Sequence, residues 1–158
     1  MARVGAFLRS GEGGQALVEI AITIPILLLL LTGIYTFGIA YANKLALTNG
    51  VGEAAQYLQV NRANSTTADP CAAAWSALTA AAPTLASGGI TMTVTFDTGA
   101  TGGGTAKTGT SCSSQGSSFQ SLSGVTNEVS ATYPCNLAIY GRAFASCTIQ
   151  AAVSVYEY

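Results

Sequence analysis

Near the start of the chain, Glu19 is the side chain best placed to do chemistry. It closes the stretch Gly13-Gly14-Gln15-Ala16-Leu17-Val18-Glu19, and no charged side chain follows it until after residue 43. A carboxylate at the lip of an apolar segment is costly, and deeper burial would cost about 2–3 kcal/mol or more. Glu19 therefore either marks the water-facing end of a membrane anchor or has a task there. The second reactive set is four cysteines, Cys71, Cys112, Cys135 and Cys147, all beyond the apolar segment. They form no C-x-x-C pair and the chain has no histidine, so a zinc site is poorly served. Two disulfides formed in an oxidising compartment suit them better. Four cysteines allow three pairings. Cys71 with Cys112 and Cys135 with Cys147 is preferred, because the second closes a short loop between two expected strands.

Enzymatic chemistry has little to work with. Without histidine there is no Ser-His or Cys-His couple. The later carboxylates Glu53, Asp69, Asp97, Glu128 and Glu157 are scattered. Residues 99–108 bear a faint likeness to a phosphate-binding loop, but Thr101 and Ala106 stand where that loop needs glycine. Neither a catalytic residue nor a metal or cofactor site is expected. Charged residues make up 8% of the 158, with a net charge of −1, which leaves no basic face for nucleic acid.

These groups depend on the elements that hold them. Residues 20–41 are apolar and would rise about 33 Å as a helix, enough to cross a hydrocarbon core of about 30 Å. Tyr35, Phe37 and Tyr41 fall towards its far end, where aromatic rings favour the interface. Pro25 removes one helical hydrogen bond and is expected to bend the first turns. Arg3 and Arg9 precede the segment, so the positive-inside bias puts the N-terminus in the cytoplasm and the rest outside. The cysteines independently favour the same side. A conventional secretory signal has a shorter core and a better small-residue cleavage site.

Past the membrane the helix is expected to continue, with Leu47, Val51, Ala54, Ala55 and Leu58 on one face. Asn64-Ser65-Thr66 fits a glycosylation triplet, a pattern common by chance. Asp69 and Pro70 read as the cap and first residue of a second helix over 70–81, halted by Pro83, with Trp75 and Leu78 as its packing stripe. Alternation marks strands at 90–96, 129–133 and 149–155. Between the first two, the Gly/Ser/Thr-rich residues 97–124 read as a long loop tethered by Cys112. The fold class is α+β: a long N-terminal transmembrane helix continuing into a small exported domain with a short antiparallel sheet.

The motif at residues 13–20, the apolar run with its early proline, and Gly33-Ile34-Tyr35-Thr36-Phe37-Gly38 resemble the TadE-like family. Residues 46–57, Ala-rich and closing on Tyr57, are similar to that family's helical continuation. The family comprises pilin-like proteins of the tight-adherence (Tad) pilus system. The resemblance implies cleavage by a prepilin peptidase between Gly14 and Gln15, which makes Glu19 the fifth residue of the mature chain. A cut after Gly13 would make it the sixth and fits less well. The resulting organisation is a leader over 1–14, a helix over 15–60 and an exported domain over 61–158. Cleavage creates an α-amino group, largely cationic at neutral pH, one helical turn from Glu19. Among staggered parallel helices the amine of one subunit can meet the carboxylate of another and set register. The expected partners are the peptidase, other pilin subunits or inner-membrane assembly proteins, and the membrane itself. The place is a bacterial inner membrane, with the exported domain in the periplasm or on the surface. The alternative is an uncleaved, membrane-anchored binding or adhesive module that uses the Gly/Ser/Thr-rich loop.

Overall fold

The computed structural model describes residues 11–61, 69–96, 105–110, 126–139 and 142–156. Cys112, Arg3, Arg9, the Asn64 triplet and most of the expected loop lie outside them. The first element is a helix of 51 residues, α1 (Gly11–Asn61), about 77 Å long at 1.5 Å per residue. Its first half is rich in β-branched residues, which are mediocre helix formers in water. In hydrocarbon, however, every backbone group must be paired within the segment, and a helix does this alone. Three threonines satisfy their hydroxyls on the helix itself. Thr23 donates to the Ile20 carbonyl at 3.2 Å, Thr36 donates to the Thr32 carbonyl at 2.6 Å, and Thr32 donates to the Leu28 carbonyl. Pro25 lies inside α1, which continues through it.

The second helix, α2 (Pro70–Ala81), has the bounds that the sequence suggests. Asp69 caps it, its Oδ1 accepting from the Ala72 N–H at 3.1 Å, and Pro70 takes the first position, where no N–H is missed. Cys71, Ala74 and Leu78 are buried against α1, while Trp75 packs half-buried at the edge of the core. The two helices meet closely at Gly50. A Cβ there would lie 3.0 Å from the Leu78 carbonyl oxygen and 3.2 Å from the Ala82 methyl, so glycine lets the backbones approach.

The sheet has four antiparallel strands: β1 (Thr91–Phe96), β2 (Thr105–Thr108), β3 (Thr126–Ile139) and β4 (Arg142–Tyr156), in the order β2-β1-β3-β4. Three strands were expected, and β2 is the addition. It lies within residues 97–124, where polar composition suggested only loop. An edge strand has no neighbour on one side, so it can be polar. Thr108 faces Thr93 across the ladder, and their hydroxyls lie 3.1 Å apart. Gly109 follows β2 with φ +128°, a conformation that glycine adopts without strain, and its N–H reaches the Met92 carbonyl at 2.9 Å. Residues 105–108, the end of the faint phosphate-loop likeness, are thus a strand.

The last two strands also run further than alternation suggested. Pro134 reads as a strand end, yet β3 passes through it and pairs with β4 as far as Ile139 opposite Arg142. The reason is local. Pairing with β1 stops at Thr132, so at Pro134 β3 has one neighbour, and the absent N–H can face the open side.

One sheet face covers α1. Val94, Val129 and Val153 form one cross-strand row, and Met92, Ala131 and Ala151 form the next. Against them lie Leu47, Val51, Ala54, Ala55 and Leu58, all buried, in the helical spacing that the sequence shows. Each large side chain so buried contributes about 1.5–3 kcal/mol. A third row pairs Phe96, Asn127 and Val155. Asn127 is 2% exposed, and among the described residues neither polar atom of its amide has a hydrogen-bond partner.

Candidate functional site

The candidate site is the bare half of α1. Every residue from 14 to 30 is exposed, and the helix is already formed at Gly11, so the bond between Gly14 and Gln15 lies within it. Four residues separate Gln15 from Glu19, one turn apart on one face. Glu19 is exposed, and from it to Lys44 α1 carries no other charge. Glu53, the next carboxylate along α1, is about 51 Å away along the axis, so the two cannot form an acid–base couple within this chain. Among the described residues no cluster of histidine, cysteine or acidic side chains could hold a metal ion. One stretch of α1, with a mean hydropathy of 2.5 in its most apolar window, is long and apolar enough to cross a membrane, and none of that window is buried.

A groove between α1 and the folded domain begins at Thr32, and Ala40 packs against the core. Thr32, Thr36, Ala40 and Asn43 are half-buried, in the spacing of one helix face, and that face continues into Leu47 and Gly50. Tyr133, Pro134 and Cys135 form the opposite wall of a groove along residues 32–43. The span expected at 20–41 therefore runs alongside this groove over ten residues, 32–41. On the far side of the helix Ile34, Phe37, Tyr41 and Leu45 stay exposed, spaced by three, four and four residues as a single stripe. Neither face was singled out from sequence, although threonines at 32 and 36 followed by Ala40 and Asn43 were a signal of a distinct, smaller and more polar side.

Cys135 and Cys147 are joined by a disulfide and sit opposite each other in the β3–β4 ladder, with Cα atoms 5.2 Å apart. Cys71 is also disulfide-bonded. The partner expected for it, Cys112, lies outside the described residues.

Residues 14–56 match the family model described as TadE-like protein. No curated protein and no solved structure matches the chain. The TadE-like match opens at Gly14, covers the whole bare half of α1 and ends in the half that enters the core. The matched segment lies wholly within α1.

Proposed function

We propose that this chain is a minor pilin or pseudopilin of a Tad-type pilus, made as a precursor, cut by a prepilin peptidase between Gly14 and Gln15, and acting in pilus assembly and adhesion. The observation that carries the reading is the division of α1. Its first half is apolar all round and bare, and the stripe Ile34, Phe37, Tyr41 and Leu45 carries apolar surface past the point where the groove begins. A helix apolar all round requires lipid or other helices about it. Before assembly the bare half anchors the chain in the inner membrane, with the leader cytoplasmic and the domain outside. In the assembled state neighbouring helices replace the lipid.

Glu19 supplies specificity in this scheme. Cleavage frees the Gln15 amine one turn from the Glu19 carboxylate. In a dry helical bundle an unpaired carboxylate is strongly penalised, so subunits settle where the amine of one meets the carboxylate of the next. The pair fixes axial register more than it adds stability. The Cys135–Cys147 disulfide is consistent with a domain that resides in an oxidising compartment. Glu19→Gln tests the scheme, because it keeps size and removes charge. Expected is normal membrane insertion with loss of incorporation into sheared pili. Incorporation at the unsubstituted level would remove the charge from the mechanism.

A further inference from the structure

We infer that the groove along residues 32–43 of one chain receives the exposed stripe of a second copy, Phe37, Tyr41 and Leu45, with the two copies offset by one helical turn. The inference rests on the Glu19 pairing proposed above and names the contact that goes with it. Groove and stripe lie at the same height on different sides of α1. At 3.6 residues per turn, Ile34, Phe37, Tyr41 and Leu45 centre about 150° around the helix from Thr32, Thr36, Ala40 and Asn43. A chain therefore cannot fill its own groove. A second copy standing parallel in the same membrane presents its stripe to it. Such a contact is head-to-tail, and it leaves one groove and one stripe free for further copies.

The groove suits the stripe. It holds about 370 Å³. Space of about 150 Å³ takes one benzene ring, so the rings of Phe37 and Tyr41 both fit. Thr32 and Thr36 donate their hydroxyls to carbonyls of α1 itself, so rings laid against them strand no donor there. Tyr133 offers an aromatic wall. The register agrees as well. Glu19 and Phe37 are 18 residues apart, five turns at about 3.6 residues each, so they share a face. When the Gln15 amine of one chain meets Glu19 of its neighbour, each neighbour residue stands level with the residue four positions earlier in the first chain. The neighbour's Phe37, Tyr41 and Leu45 then stand at levels 33, 37 and 41, all within the groove. The reverse offset would put them at 41, 45 and 49, and with no offset Leu45 lies beyond the groove.

Cysteine pairs in the full chain, expressed in its native host, test this contact. Thr36→Cys with Tyr41→Cys, and separately Thr32→Cys with Phe37→Cys, put one thiol in the groove and one on the stripe. The members of each pair are five residues apart on different sides of α1, so they join only between chains. Membranes and sheared pili are treated with a short bismaleimide and resolved after reduction, which removes the native disulfides from the readout. Expected is a ladder of dimers, trimers and longer species from both pairs and from no chain with a single new cysteine. The second pair reads the contact if the first disturbs folding. Dimers from Tyr41→Cys alone mean that stripe meets stripe, which overturns the inference. Adducts with another protein only give the groove a different occupant and overturn it too. No adduct in pili that contain the chain overturns the inference and leaves the pilin reading standing. Absence of the unsubstituted chain from pili removes both.

Discussion

The two halves of α1 are both rich in apolar residues and meet opposite fates. From 15 to 31 the polar side chains are Gln15, Glu19 and Thr23, and every described side is exposed. From 43 to 59 polar residues recur at Asn43, Lys44, Thr48, Asn49, Glu53, Gln56 and Gln59, while Leu47, Val51, Ala54, Ala55 and Leu58 are buried on one side. The lesson is that the arrangement of apolar residues, rather than their amount, separates a helix made for lipid or a bundle from one made for a domain core. The first half holds nothing together in the isolated chain. The second is the wall on which the sheet and α2 are built.

This contrast can be broken by substitution, with Trp75 emission reporting unfolding of the full chain by denaturant in detergent micelles. The largest effect is expected from Leu47→Ala, a fully buried truncation that costs about 2–5 kcal/mol. The matching Leu28→Ala in the bare half is expected to shift the midpoint by less than about 0.5 kcal/mol. Equal losses at the two positions would abolish the distinction. Next comes the disulfide. Cys135→Ser with Cys147→Ser frees a loop with a sequence separation of 12, at a cost of about 2–3 kcal/mol. An unchanged midpoint would show that the hairpin is held by its ladder alone.

A gain sharpens the same contrast. Asn127→Leu replaces a buried amide lacking partners among the described residues with an apolar side chain of similar size, and stability is expected to rise by about 1–2 kcal/mol. A loss of stability instead would mean that the amide is satisfied after all. The smallest effect is at the cap. Asp69→Ala removes the acceptor for the Ala72 N–H and is expected to cost about 1 kcal/mol, seen as an earlier midpoint with unchanged membrane insertion.

Much of this was legible in the residues. The α2 bounds followed from Asp69, Pro70 and Pro83, because caps and prolines act locally. The buried face of α1 followed from three-and-four spacing. Strand β2 was illegible because an edge strand needs no apolar alternation, and its register depends on Thr93 across the ladder. Pro134 misled for a related reason: whether proline ends a strand depends on the neighbour it lacks. The groove at Thr32 was hidden because hydropathy does not register which side of a helix a distant strand faces. Glu19 stood out from composition alone, whereas the amine proposed to pair with it would exist only after the proposed cut.

The proposed cut is the event on which the proposed assembly role depends. Intact-mass and N-terminal measurement of the protein isolated from its native membranes and pili tests it most directly. The result expected is a chain beginning at Gln15, with residues 1–14 absent and Glu19 fifth. A chain that retains residues 1–14 would contradict the assignment, because the amine that is to meet Glu19 would never have formed.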